Sequence, residues 1–351
     1  MRIATIIGAR PQFIKAAPIS IRINNKIDSL SEIIIHTGQH FEKNMSSIFF
    51  DEMQIPKPSY NLNINQMEYA QMLESMVEGI KPLLQLEKVN GVLVYGDTNS
   101  TLAASIAAKQ SDIPLFHVEA GLRSHDRSMF EENNRIITDH LSDLLFCPNK
   151  NAVDNLSREN ITEGVFFSGD IMLDAYIKYN SLRNKLEQNQ INSKFVLATI
   201  HRRENIYSKE KLSLIFTNLD KINREIKIIL PLHPHTKKMI NEFKIKSDIK
   251  FVKPLGYLTM LSLLKKSTMV ITDSGGLQKE SFFAKKKCLV IRKQTEWIEL
   301  IENKTNLLSS PKNLYNFYKK LLLQECDFST NPYGNGNAAE IVLQKILKFF
   351  K

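Results

Sequence analysis

Short runs of Ile, Val and Leu alternate along this chain with longer segments in which apolar residues recur every three to four positions. Such runs, closed by Gly or polar turns, predict buried strands, and the segments between them predict amphipathic helices. The first half predicts strands from Ile3 to Ile7, Glu32 to His36, Gly91 to Tyr95, Leu115 to Glu119 and Leu144 to Cys147. The second half predicts them from Phe195 to Ile200, Ile226 to Leu232, Ile249 to Val252, Met269 to Thr272 and Cys288 to Ile291. Strand–helix alternation of this kind builds parallel sheets with helices on both faces. The expected fold class is therefore α/β, with two doubly wound Rossmann-like domains.

Length agrees with two domains, because 351 residues exceed what one hydrophobic core usually organises. The division is expected at the Ser168-Gly169-Asp170 turn. That gives a first domain of residues 1–169 and a second of 170–334, with the helical tail from Ala338 to Phe349 returning to the first domain as part of 335–351. The longest apolar runs are strand-length, and MRIATIIGAR passes straight into a strand and a Gly turn, so neither a bilayer span nor a signal peptide is expected. The expected location is the cytoplasm.

Three cysteines, Cys147, Cys288 and Cys326, form no CxxC pair, which argues against a disulfide framework or a thiolate zinc site. The excess of Lys+Arg (47) over Asp+Glu (37) fits either a nucleic acid or a small anionic substrate. The basic residues lack the aromatic interleaving of a single-strand groove, so nucleic acid is not expected as a partner.

Candidate chemistry gathers where strands end. Ligands of open parallel sheets bind outside the carboxyl ends of the strands, where helix N-termini present free N–H groups. Gly8-Ala9-Arg10-Pro11 opens a helix that also carries Lys15, two cations suited to a phosphate or carboxylate. Asp97 in YGDTNS, Glu119 in HVEAGLR and Glu131 in FEENNR bring carboxylates to neighbouring strand ends. Any one of them alone reads as a helix cap. Together they suggest an acid–base centre in which mutual repulsion raises at least one pKa. In the second half, His201 in HRREN, His233 in LHP, Ser274-Gly275-Gly276 with Glu280 farther along the same helix, and Arg292 follow strands in turn. Ser-Gly-Gly opening a helix suits a phosphate, and Glu280 suits ribose hydroxyls. His233 and His235 lack the further ligands a metal would need.

With these motifs in order, the chain resembles the non-hydrolysing UDP-N-acetylglucosamine 2-epimerase family. GARPQFIK is similar to its GTRPE-type opening, with Ala9 for Thr and Gln12 for Glu; GDTNS, HVEAGLRS, EENNR, HRREN, TDSGGLQKE and NPYGNG follow. The resemblance implies a GT-B-like fold with the active site in the cleft between the domains, UDP held mainly by the second. It implies UDP elimination to a glycal and re-addition with C2 inverted, without metal or nicotinamide cofactor, in a homodimer supplying bacterial surface-polysaccharide precursors. By motif, Asp97, Glu119 and Glu131 are implied in proton transfer and charge stabilisation, His201 near the leaving UDP, and Lys15 with them as a catalytic cation. Arg10, His40, Arg135, His233, Ser274, Gly275, Gly276, Glu280 and Arg292 are implied on the substrate side.

Departures from the pattern carry information too. Phe130 stands where the family usually has Pro, which would alter the loop carrying Glu131. The opening and Gln294-Thr295-Glu296-Trp297 look more like the branch acting on UDP-2,3-diacetamido-2,3-dideoxyglucuronate. Gln39 and His40 match the start of a surface that binds a second, activating UDP-sugar, but Glu42 and the Glu68-Tyr69 pair depart from it. Rival readings are a GT-B glycosyltransferase, a hydrolysing epimerase and a non-catalytic nucleotide-sugar sensor.

Overall fold

The computed structural model describes residues 1–26, 29–39, 50–65, 67–183 and 193–351. The chain packs as two units, one comprising Met1–Ile177 and Asn331–Lys351, the other Lys178–Thr330.

In the first unit, strands β1 (Arg2–Ile7), β2 (Ser31–His36), β3 (Tyr60–Asn61), β4 (Gly91–Tyr95), β5 (Leu115–Val118), β6 (Leu144–Cys147) and β7 (Val165–Phe167) form one sheet in the order β3-β2-β1-β4-β5-β6-β7. Every pairing is parallel. The connecting helices are α1 (Arg10–Lys26), α2 (Tyr69–Leu86), α3 (Asn99–Gln110), α4 (Phe130–Leu141), α5 (Lys150–Arg158) and α6 (Ile171–Arg183). Central strands covered on both faces need apolar residues at successive positions, and all of Gly91–Tyr95 is buried accordingly. Ala103, Ala104, Ala107 and Ala108 of α3 pack against Ala4, Ile6, Val92 and Val94, their small side chains letting the helix lie close on the sheet. Thr98 starts that helix by accepting from the Thr101 N–H.

In the second unit, β8 (Phe195–Thr199), β9 (Lys227–Pro231), β10 (Lys250–Val252), β11 (Met269–Thr272), β12 (Cys288–Val290) and β13 (Asn306–Leu308) are also all parallel, in the order β10-β9-β8-β11-β12-β13. Its helices are α7 (Arg203–Ile206), α8 (Lys209–Glu225), α9 (Pro234–Glu242), α10 (Tyr257–Lys266), α11 (Gly275–Phe283), α12 (Ile298–Glu302) and α13 (Leu314–Leu323). Leu212, Ile215, Phe216 and Leu219 of α8 close over Val196, Ala198, Ile228 and Leu230. Strand order reverses at β1/β4 in one sheet and at β8/β11 in the other. Those reversals mark where each unit can receive a ligand.

Three strands went unanticipated from the sequence. β3 has two residues, β7 is only partly buried and β13 has three residues, so none supplies the apolar run that marks a central strand. The division between units falls inside α6, beyond the Gly169–Asp170 turn. Hydrogen bonds hold the first part of α6 to the returning chain. The Asp170 N–H donates to the Tyr333 carbonyl at 2.9 Å, and the Asp174 carboxylate accepts from the N–H groups of Ala338 (3.1 Å) and Ala339 (2.9 Å). Asp174 thereby caps the last helix, α14 (Ala338–Phe349), which lies against α1.

One half-buried acid lies away from the carboxyl ends of the strands. Glu32 of β2 accepts from the Thr5 and Ser20 hydroxyls through Oε1, while its Oε2 is enclosed without a hydrogen-bond partner. Burial outweighs the two hydroxyls and pushes this carboxyl up to about 7. The unfolded chain releases the proton near the ordinary value of 4.5, whereas the folded chain retains it up to about 7. The group's contribution to stability is therefore fully present at low pH, drains between those values and then levels off. Glu32→Gln, neutral at every pH, is expected to melt higher than wild type at pH 8, about, with the gap closing as pH falls toward the ordinary carboxylate value. Parallel melting-temperature profiles for the two proteins across that window would refute the assignment.

Candidate functional site

At the end of β1 the chain turns at Gly8, where any Cβ would lie 2.0 Å from Thr37 Oγ1 and 2.2 Å from Ser100 Oγ. No other residue fits there unless the Thr37 and Ser100 side chains shift. Gln12, fully buried one turn later, fills the mouth of α1: its Oε1 accepts from the Gly8 and Ala9 N–H groups at 2.8 and 3.0 Å. Its amide nitrogen donates to the Tyr95 carbonyl at 3.1 Å and to Thr101 Oγ1 at 3.0 Å. The first N–H groups of this turn, expected to face an anion, are thus occupied by a side chain. The cations remain: Arg10 is half-buried at the helix start, and Lys15 is buried and paired with Glu119.

Two turns over neighbouring strands carry the acids. Gly96 ends β4 with φ of 64°, and a Cβ on it would lie 2.9 Å from Lys15 Nζ and 3.5 Å from Glu119 Oε1. A glycine therefore serves both the left-handed turn and the close approach of that ion pair. Asp97 follows and pairs with Arg135 of α4. Glu119, just past β5, holds φ of 72°, a conformation a non-glycine residue adopts at some energetic cost. The N–H groups of Glu119 and Ala120 both donate to the Phe146 carbonyl, at 3.0 and 3.1 Å, which holds the side chain turned toward Lys15.

The paired glutamates of α4 divide their roles. Glu132 is buried and accepts from the Ser124 N–H and Oγ, each at 2.9 Å, from the His125 N–H at 2.9 Å and from Arg135 at 3.1 Å. Glu131 lies on the exposed side of the same turn. Phe130 stacks on Tyr69 with ring centroids 4.5 Å apart, and the Tyr69 hydroxyl donates to Asn134, which in turn donates to the Asp97 carbonyl at 3.0 Å. An aromatic residue in place of Pro thus ties the Glu131 turn to α2. The repulsion expected among converging acids is largely relieved, because Asp97 and Glu119 each meet a cation.

The second unit is organised around Asp273, which follows β11 and is wholly buried. Its carboxylate accepts from the N–H groups of His201 (3.0 Å) and Arg202 (2.9 Å) and from Asn205 Nδ2 (3.1 Å), drawing the loop after β8 to the end of β11. The partly exposed His201 ring lies 3.4 Å from Asp273 through Nδ1, and 5.8 Å, between centroids, from the ring of His233. Ser274 caps α11. A Cβ on Gly276 would meet nothing within 4 Å, so that face of the helix start is open. Around Gly275 lie Glu296, Trp297 and Arg292. Arg292 is buried, faces Glu296 at 2.8 Å, and is held below the ordinary guanidinium range by that burial, with Glu296 opposing the shift. Glu280 is buried one turn farther along α11. The Lys279 ammonium lies 4.0 Å from the centre of the Trp297 ring.

The structure thus gathers Lys15, Asp97, Glu119 and Arg135 closely in one unit, with Glu131 on the helix that carries Arg135. In the other unit it gathers His201 and His233, and Ser274, Gly275 and Arg292. His40 and Glu42 lie outside the described residues. Among the described residues no group of three or more His, Cys, Asp or Glu is placed to hold a metal ion, and no helix is long and apolar enough to cross a membrane. Sequence reasoning overlooked Asp273, Glu132, Asn134 and Asp139. Asp273 and Asn134 sit in quoted motifs but act on backbone 72 and 37 residues away, Glu132 acts on the Ser124–His125 backbone just before its helix, and Asp139 lies outside the quoted motifs altogether.

Comparison with known proteins places this geometry. A family model described as UDP-N-acetylglucosamine 2-epimerase matches residues 23–347. The UDP-2,3-diacetamido-2,3-dideoxy-D-glucuronate 2-epimerase of Pseudomonas aeruginosa is 45% identical over 99% of this chain and 100% of its own. The UDP-N-acetylglucosamine 2-epimerase of Methanocaldococcus jannaschii is 38% identical with both chains fully covered. A crystal structure of the M. jannaschii UDP-GlcNAc 2-epimerase in complex with UDP-GlcNAc and UDP superimposes with a TM-score of 0.90 at 36% identity, covering 99% of this chain and 100% of that one. The two parallel sheets are accordingly those of a GT-B-like α/β fold, and the chain belongs to the UDP-N-acetylglucosamine 2-epimerase family of isomerases.

Proposed function

We propose that this epimerase inverts C2 of UDP-2,3-diacetamido-2,3-dideoxyglucuronate by eliminating UDP and adding it back. A base removes the C2 proton, the C–H electron pair forms the C1=C2 double bond, and the C1–O bond breaks with its pair leaving on UDP. Return of UDP to C1 and of a proton to the opposite face of C2 completes the inversion. Asp97, Glu119 and Glu131 supply the proton-transfer groups, and Lys15 and Arg135 balance their charge. His201, His233, Arg10, Arg292, the Ser274-Gly275-Gly276 helix start and Glu280 serve the nucleotide and its diphosphate. The observation that carries the reading is the Lys15–Glu119 pair set against the Gly96–Asp97 turn, in a chain 45% identical over its length to the glucuronate enzyme. A sugar carboxylate needs a cation, because burying it unpaired would cost several kcal/mol. Lys15 is already paired with Glu119 and Arg10 is assigned to the diphosphate, so the Arg202–Arg203 pair is the candidate for that contact. A cytoplasmic homodimer serving surface-polysaccharide synthesis belongs to the same reading, and sedimentation checks the dimer.

Incubation with each UDP-sugar in deuterated water, followed by NMR, tests this. The diacetamidoglucuronate is expected to epimerise with deuterium entering C2, at a kcat/KM about 10²-fold or more above that for UDP-N-acetylglucosamine, the scale of a lost charge-assisted hydrogen bond. Preference for UDP-N-acetylglucosamine would overturn the substrate, and epimerisation with the C2 hydrogen retained would overturn the elimination.

A further inference from the structure

Both ring nitrogens of His117, wholly buried on β5, meet oxygens. Its Nδ1 is 2.7 Å from Asp139 Oδ1 and its Nε2 is 2.8 Å from the Gly96 carbonyl oxygen. A carbonyl cannot donate, so Nε2 bears a hydrogen. The proton between Nδ1 and Oδ1 then belongs either to the ring or to the acid. Asp139 Oδ2 accepts from the Gly121 N–H at 3.1 Å and from Arg123 Nη1 at 2.7 Å, both of which favour a carboxylate. Burial would raise this acid, but the Arg123 charge and hydrogen bond oppose that. Charge counting agrees. Arg123 also forms a two-pronged pair with Glu159, both contacts at 2.7 Å, so two acids stand against a single arginine unless the imidazole is cationic. The other titratable groups nearby are His140, 4.0 Å from Glu159 and exposed, and the buried Cys147, which feels the Asp139 charge.

We propose that His117 is held with both ring nitrogens protonated and that it ties the Gly96–Asp97 turn to the Glu119–Gly121 turn, making it a positioning residue for two of the acids. Its consequence for turnover rests on the function proposed above; its charge state does not. Both polar backbone atoms of Gly96 are fixed from β5, its N–H by the Val118 carbonyl at 2.9 Å and its carbonyl by His117. The N–H of Gly121, two residues past Glu119, is fixed by the Asp139 that His117 holds. The imidazolium thus connects the turn before Asp97 with the turn after Glu119.

Long-range proton–nitrogen NMR on the full chain with 15N-labelled histidine reads the charge directly. At a pH of about 8, where an ordinary histidine of pKa about 6.5 is neutral, His117 is expected to show two protonated nitrogens. One protonated and one bare nitrogen would overturn the proposal. In Asp139→Asn the ring loses its anion and is expected to become neutral at that pH, and a ring still doubly protonated there would overturn the Asp139 pairing. His117→Gln is expected to lower kcat about 10-fold or more with KM and UDP affinity held, the split of a mispositioned acid rather than a lost binding contact. An unchanged kcat would overturn the positioning role. Should the wild type fail to exchange C2, the proposed function falls while the NMR result stands.

Discussion

Glu119→Gln is expected to lower kcat by about 10²-fold or more while the protein stays folded and binds UDP as before. An amide keeps the size of the carboxyl and an oxygen for Lys15, but it cannot take a proton from carbon. The buried Lys15 would lose its counter-charge, so a modest fall in melting temperature accompanies the kinetic loss. Asp97→Asn and Glu131→Gln should behave alike, each through turnover. Glu132→Gln makes the informative contrast, because Glu132 serves the Ser124–His125 backbone and its loss should register in stability first. Steady-state rates beside calorimetric UDP titration separate the cases, and wild-type turnover in any of the three acid variants would remove that residue from the proton-transfer set.

The other large effect is expected at Asp273→Ala, through structure rather than chemistry. Three donors converge on this buried carboxylate, and the methyl group leaves the two N–H groups with nothing to meet and the Asn205 amide with only the Ile291 carbonyl. At about 1–3 kcal/mol for each stranded donor, the sum is several kcal/mol, a large share of the roughly 5–15 kcal/mol that holds a domain folded. Denaturant unfolding should show the loss, and the His201 loop should no longer support UDP binding. A variant within about 1 kcal/mol of wild type would mean that water or a rearranged loop satisfies those donors.

How far the sequence carried is visible in particular residues. Central strands announced themselves, since Gly91–Tyr95 and Met269–Thr272 are buried on both faces and must be apolar throughout. Three of the four described edge strands did not: Tyr60–Asn61 and Asn306–Leu308 are short and Val165–Phe167 is only partly buried, whereas Lys250–Val252 was anticipated. The acids at the strand ends were legible by type and position, but their partners were not. Lys15 reads locally as a phosphate ligand, and only the fold brings it against Glu119, 104 residues away. Gln12 looks like a casual replacement until its amide is seen spanning two N–H groups and two acceptors. Asp139 had no local signal at all, because its work is done on a strand and a turn that precede it in the chain.

The return of residues 331–351 to the first unit orders events during synthesis. A ribosome delivers β1 to β7 first, then the whole of the second unit, and only afterwards α14, whose N–H groups Asp174 has been waiting to accept. Phe349 and Phe350, in edge contact with Phe116 at centroid distances of 5.4 and 5.9 Å, arrive only after the second unit. The second unit has every residue it needs while still tethered, whereas the first must wait, its sheet formed but one flank uncovered. A nascent chain stalled after Thr330 would hold the later-made unit entire and the earlier-made one unfinished.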